Sequence, residues 1–322
     1  MSSYIYLSIG GLLLSLGLMI LFMPKFIEYL KKKNYNQTVS EYALDEFKNK
    51  AKTPIMGGIM FVIIPLIVFI IFNFKSLLDP FVSLPILSYL LFSLVGFWDD
   101  ITIIIKNNNE GVSPKAKLIA EFIISIVLFF LYKDALAFEI VIPAVNISIN
   151  LGYFYLLFFM IAMVGEANAA NFTDGMDGLC AGVSLIGVIG LIILCLLCEQ
   201  YNLVILLSCI VGGLIGYLIF NWHPAKIFMG DSGSLALGAL FASIGVILNK
   251  DITLIIITGV FVWEMLCVCI QQVAVRVFHK RVFKYTPIHY AYKLQGHKET
   301  NIVLMFYVLE AIFVVIAIII NL

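Results

Sequence analysis

The sequence predicts an all-α integral membrane protein of about ten transmembrane helices, with one small β-hairpin on its outer face. Three observations carry this. Of the 322 residues, 62% are hydrophobic and 12% charged, against roughly 45–50% and 25% in a soluble domain; such a chain cannot hide its apolar surface from water. Ten apolar segments, at about 3–23, 56–73, 81–98, 116–132, 151–165, 178–198, 203–220, 233–249, 252–275 and 301–321, approach the roughly 20 residues a helix needs to cross the hydrocarbon core. The stretch 133–150 breaks the pattern, with Phe138-Glu-Ile-Val-Ile and Val145-Asn-Ile-Ser-Ile flanking Pro143 and Ala144 as the arms of a hairpin.

The apolar runs recur from end to end with no polar block large enough to fold separately, so residues 1–322 read as one polytopic domain. No repeat of 20–50 residues is visible. The formal charge is zero, with 20 basic and 20 acidic residues, so no global field argues for nucleic acid. Basic residues in short loops mark the cytoplasmic side. The first loop holds Lys25, Lys31, Lys32, Lys33, Lys48, Lys50 and Lys52, which places it, and the loops after spans 3, 5, 7 and 9, in the cytoplasm. The basic stretch from Arg276 to Lys298 falls on that side, and the hairpin on the other. No basic region precedes the first apolar run, so that helix is expected to stay rather than be cleaved. The six cysteines (Cys180, Cys195, Cys198, Cys209, Cys267 and Cys269) lie in apolar stretches and are expected to pack as small hydrophobes. The Asn146-Ile-Ser148 sequon is a common chance match and carries no weight.

The acidic residues collect in three of the cytoplasmic loops, which suggests a site. Asp99 and Asp100 follow Gly96-Phe-Trp at the end of the third span, where the negative end of a helix disfavours anions. They read either as a solvated boundary pair or as half of a site that a cation completes. In Asn168-Ala-Ala-Asn171-Phe-Thr-Asp174-Gly-Met-Asp177-Gly, Asp174 and Asp177 would share a face if the turn is helical, and the glycines would let backbone approach a phosphate. The alternative is a polar loop with Asp177 capping the sixth span. The spacing fits neither an EF-hand nor a P-loop. Phe228-Met-Gly-Asp231-Ser-Gly-Ser234 opens the eighth span; Asp231 could be a simple N-cap, and Phe228 a stacking surface for an aromatic base. The last loop, Lys284-Tyr-Thr-Pro-Ile-His289-Tyr-Ala-Tyr-Lys293 to Glu299, is basic and aromatic. Carboxylates for a divalent ion, cations for phosphate and an aromatic for a base suit phosphoryl transfer, whose catalysis is largely positioning and charge neutralisation. Oxygen ligands favour Mg²⁺ or Mn²⁺ over zinc.

Gly96-Phe-Trp-Asp99-Asp100, Asn168 through Leu179, Phe228 through Gly238 and Thr286-Pro-Ile-His289 resemble the polyprenyl-phosphate N-acetylhexosamine-1-phosphate transferases, in the right order over about residues 50–300. Lys52-Thr-Pro-Ile-Met-Gly-Gly58 points to the branch that handles phospho-N-acetylmuramoyl-pentapeptide. The resemblance implies ten helices around a cytoplasmic active-site cleft and transfer of phospho-MurNAc-pentapeptide from UDP-MurNAc-pentapeptide to undecaprenyl phosphate, giving lipid I and UMP, within the bacterial inner membrane. It implies Mg²⁺ on Asp231, with Asp99 as base or positioning residue for the lipid phosphate and Asp100 assisting. Asn168, Asn171, Asp174 and Asp177 would surround the metal and nucleotide-sugar, with Asp174 reading uracil and Phe228 stacking on it. Lys52 and Lys117 would pair with phosphates, and His289 would sit beside the nucleotide-sugar. A homodimer is compatible with this reading.

The family usually carries three consecutive histidines where this chain has His289-Tyr290-Ala291, so only the first role transfers. Glu264, Gln271 and Gln272 fall within the ninth span, where polar residues either line a functional groove, here one for lipid, or serve a break in the helix. The competing readings are a sister enzyme that transfers N-acetylglucosamine-1-phosphate from UDP-GlcNAc, and a transporter. A transporter would place its charges near the bilayer midplane at broken helices, not at span ends on one side.

Overall fold

The computed structural model describes residues 2–36, 53–106, 111–145 and 147–322; the expectations for Lys48, Lys50, Lys52 and Asn146 lie outside them. In lipid every backbone polar group must find a partner within the protein, and the apolar runs meet this as helices. They are α1 (Ser2–Lys32), α2 (Gly58–Asn73), α3 (Pro80–Lys106), α4 (Pro114–Tyr132), α5 (Tyr155–Thr173), α6 (Leu179–Leu197), α7 (Tyr201–Asn221), α8 (Asp231–Ile247), α9 (Asp251–Ile257), α10 (Gly259–Phe278), α11 (Ile288–Leu294) and α12 (Glu299–Asn321). Among the described residues eight helices are long and apolar enough to cross a membrane. The two further spans of the sequence reading are α4, which carries Lys115, Lys117 and Glu121, and α8, which has only 17 residues.

Helix α8 is the centre of the bundle, buried at every position from Ser232 to Ile247. Its small residues allow close approach: a Cβ on Gly96 of α3 would collide with the Asp231 carbonyl. The hairpin pairs β1 (Glu139–Ile142) with β2 (Ile147–Asn150) antiparallel, in register Glu139↔Asn150 through Ile142↔Ile147. Asn249 Nδ2 donates to Glu139 Oε1 at 3.2 Å, tying the hairpin to the turn between α8 and α9. Because α4 leaves the acidic end and α5 returns to it, the hairpin and the acidic clusters lie at opposite ends of the bundle.

Three boundaries differ from the sequence reading. Helix α3 continues past Asp99 and Asp100 to Lys106, so the pair does not meet the negative end of the dipole; Lys106, in the last turn, donates to the Gly111 carbonyl at 3.1 Å. Helix α5 runs to Thr173, which puts Asn168 and Asn171 on helix rather than in a loop; the alanines between them are strong helix formers. The long ninth span breaks at Thr258 into α9 and α10. Four cysteines are buried and Cys198 is partly so, but Cys269 is exposed on α10 rather than packed.

Candidate active site

Asp231 is the first residue of α8, and Gly230 precedes it at φ 75°, a left-handed conformation that glycine adopts without strain. The helix is capped from another span. Asp100, fully buried, accepts the backbone N–H of Asp231 (3.0 Å) and of Ser232 (3.1 Å), one on each carboxylate oxygen. This overturns the simple N-cap reading of Asp231 and leaves its own carboxylate for other work. Lys117 Nζ lies 2.6 Å from its Oδ2, and Asn171 Nδ2 donates to its Oδ1 at 2.7 Å and to Ser234 Oγ at 3.0 Å.

Asp99, buried beside this group, accepts the Val112 N–H at 2.9 Å. Its charge and that of Asp231 act on each other, and the Lys117 ammonium feels both. The loop into α4 is set by Ser113, whose hydroxyl accepts the Ala116 N–H at 3.3 Å. Among the described residues, two close carboxylates with no nitrogen or sulfur ligand between them form a donor set that suits a hard divalent cation. With Lys117 as neutralising charge, Asp99 and Asp231 fit Mg²⁺.

Asp174 follows α5 and is half-buried. Burial, then the charges of Asp231 and Asp177, push its carboxyl up to about 7, against a smaller pull from the Gly230 N–H. Asp177 does not cap α6; Gly178 stands at that position. Instead Asp177 Oδ2 accepts from His223 Nδ1 (2.8 Å) and the Ala225 N–H (3.1 Å), while its backbone N–H donates to Glu299 Oε1 (2.9 Å). His223 Nδ1 also lies 3.8 Å from Glu299 Oε2. Asp177, His223 and Glu299 are near enough together to hold a metal, and in this structure they bond to one another. The group reads as a clamp joining the starts of α6 and α12 to the loop before α8.

The last loop is folded back by residues of α10. Glu264 accepts the N–H of Ile288 (2.7 Å) and of His289 (3.3 Å) and lies 2.9 Å from His289 Nδ1. Gln271 Oε1 accepts the N–H of Val282 and of Phe283, both at 3.0 Å, and its amide donates to the Phe283 carbonyl at 3.1 Å. In place of lining a lipid groove, Glu264 and Gln271 therefore hold the basic loop; Gln272 is exposed. His289 is fully buried, with Nε2 against Gly175, and the Tyr290 hydroxyl donates to the Gly175 carbonyl at 3.0 Å. The loop is thereby pinned to the Asp174 turn.

Phe228 is half-buried, its N–H donating to the Pro54 carbonyl and its carbonyl accepting the Gly57 N–H, each at 2.8 Å. The Pro54–Gly58 segment so runs beside the loop segment that carries Phe228. Asn168 Nδ2 donates to Glu121 Oε2 (2.6 Å) and the Val164 carbonyl (2.9 Å), one turn below Asn171. Asp99, Asp100, Lys117, Asn171, Asp174 and Asp231 are brought together; Asp177, Phe228 and His289 rim the same end, and Asn168 supports from beneath. Glu121 and His223 were not singled out in the sequence, and Glu299 entered only as the end of the last loop. Each sits beside a motif, and only its distant partner reveals it.

Residues 82–249 match the model of the family described as glycosyl transferase family 4. Over 309 residues the chain is 36% identical to a phospho-N-acetylmuramoyl-pentapeptide-transferase of Halalkalibacterium halodurans, covering 95% of each chain. It is 36% identical over 315 residues to the protein of that name from Geobacillus sp. (strain WCH70), covering 96% of each. The counterpart from Bacillus anthracis is 35% identical over 303 residues, 92% of this chain and 94% of that one. The matched family region spans every carboxylate from Asp99 to Asp231, and the relatives extend the likeness through the His289 loop. The chain belongs to glycosyl transferase family 4 and, within it, to the phospho-N-acetylmuramoyl-pentapeptide transferases.

Proposed function

We propose that this protein transfers phospho-MurNAc-pentapeptide from UDP-MurNAc-pentapeptide to undecaprenyl phosphate, giving lipid I and UMP, at the cytoplasmic face of the bacterial inner membrane. The observation that carries the reading is the assembly of Asp99, Asp231 and Lys117 over the N-terminus of the central helix. The names of the relatives supply the phospho-MurNAc-pentapeptide. The lysines between α1 and α2 and in the last loop favour the cytoplasmic orientation.

Attack of one phosphate on another requires anions to be held together, so positive charge must be concentrated where they meet. Lys117 and the positive end of α8 supply part of it from the chain itself. Mg²⁺, when bound, would neutralise diphosphate oxygens, with Asp231 as its ligand and Asp99 beside it. Asn171 fixes the Asp231 carboxylate, and Asp100 fixes the backbone that carries it. Asp99 orients the lipid phosphate. Phe228 stacks on uracil, Asp174 reads its edge, and Asp177 and His289 hold the walls of the nucleotide-sugar pocket.

The protein reconstituted with UDP-MurNAc-pentapeptide, undecaprenyl phosphate and Mg²⁺ should release UMP and a lipid-linked product in equal amounts. Asp231→Asn should abolish turnover and weaken the Mg²⁺ dependence, whereas Asp99→Asn should abolish turnover with nucleotide binding largely kept. Near-normal turnover in either variant would remove that residue from the reaction.

A further inference from the structure

Two carboxyls lie far from the acidic end. Glu166 stands seven residues before the end of α5, about 10 Å inward at the helical rise, and Glu310 lies at the middle of α12. They are 8% and 0% exposed. Both meet the break in the ninth span. Glu310 Oε2 accepts the Val260 N–H in the first turn of α10 at 3.1 Å, and the Thr258 hydroxyl, which donates to the Leu254 carbonyl at 3.0 Å, also lies against Glu166.

One oxygen of each carboxyl, Glu166 Oε1 and Glu310 Oε1, is buried without a partner. The charge of Glu166 acts on Glu310, and among the described residues no lysine, arginine or histidine forms an ion pair with either. The N-terminus of α10 supplies roughly half a positive charge, against two negative ones in a layer where ions are costly. The balance is short by about one and a half positive charges, of which one bound cation supplies most. Carboxyl and hydroxyl oxygens gathered at a broken helix near the bilayer midplane are also the surroundings in which membrane proteins hold H⁺ or Na⁺.

We propose that Glu166, Glu310 and Thr258 form a monovalent-cation site, one H⁺ or one Na⁺ held between the two free Oε1 atoms, that joins α5 and α12 to the break between α9 and α10. The site is separate from the transferase centre and does not depend on the reading of it.

The test uses the full chain in nanodiscs, as wild type, Glu166→Gln, Glu310→Gln and the double variant. Infrared spectra and thermal unfolding are recorded in Na⁺ and in choline of equal ionic strength. Gln at 310 keeps an oxygen for the Val260 N–H, so the single variant should fold. If the ion is H⁺, wild type shows a protonated-carboxyl band that shifts in D₂O, persists in both salts and is lost in the variants. If it is Na⁺, that band appears only in choline, and Na⁺ raises the wild-type Tm but not that of Glu310→Gln. A carboxyl band unchanged by the substitutions, together with a wild-type Tm indifferent to Na⁺, overturns the proposal.

Discussion

Asp100 caps the helix that Asp231 begins. Its two oxygens take the first two N–H groups of α8 at 3.0 and 3.1 Å, so a residue of the third span sets the position of a carboxylate 131 residues later. Leaving such buried donors unpaired costs about 1–3 kcal/mol each. Asp100→Ala should therefore lower the Tm of the detergent-solubilised protein clearly more than Asp99→Ala, which orphans the single Val112 N–H. Equal Tm values would show that the cap does not hold the helix.

Lys117 is the cation on Asp231, at 2.6 Å. Removing one preorganised charge from a phosphoryl-transfer site should cost on the order of 10²–10³ in kcat. Lys117→Met should show this loss in UMP release, and Lys117→Arg should recover part of it. Activity of Lys117→Met within threefold of wild type would exclude the lysine from the chemistry.

Asp174 gives a pH dependence with a definite sign. Its carboxyl is raised to about 7 in the fold from about 3.9 in an unfolded chain. The fold therefore favours the protonated form: this contribution is complete below pH of about 4 and is lost as pH rises to about 7. Asp174→Asn removes the buried charge. Its Tm should exceed that of wild type at pH 8, and the difference should shrink toward pH 5. A constant difference across that range would contradict the assignment.

Glu264 acts on the last loop through the backbone of Ile288 and His289. Glu264→Ala should free residues 279–298, seen as faster tryptic cleavage at Arg281 and Lys284, and should raise KM for the nucleotide-sugar. Cleavage at the wild-type rate would show that other contacts hold the loop.

Much of the architecture was legible because hydropathy is a local property: the apolar runs and the hairpin around Pro143 were readable from their own residues. Helix ends were less so. The run after Asp100 gives no stop signal until Lys106, and Asn168 and Asn171 sit among alanines that continue α5. The motifs located the acidic end but not the division of labour within it. Asp100 and Asp231 look equivalent as sequence, and only the distance between α3 and α8 makes one a cap and leaves the other's carboxylate to Lys117 and Asn171. Glu264 pointed to a groove because it lies in a span, yet its partners come from 24 and 25 residues later. Glu166 and Glu310 carried a signal that sequence alone offers, a lone carboxyl in an apolar run.

What distinguishes the two kinds of transferase is the donor they accept. The purified protein, given undecaprenyl phosphate and Mg²⁺, is offered UDP-MurNAc-pentapeptide and UDP-GlcNAc in parallel while UMP release is measured. UMP should be released from UDP-MurNAc-pentapeptide, with Asp231→Asn silent; release only from UDP-GlcNAc would make the protein the sister transferase instead.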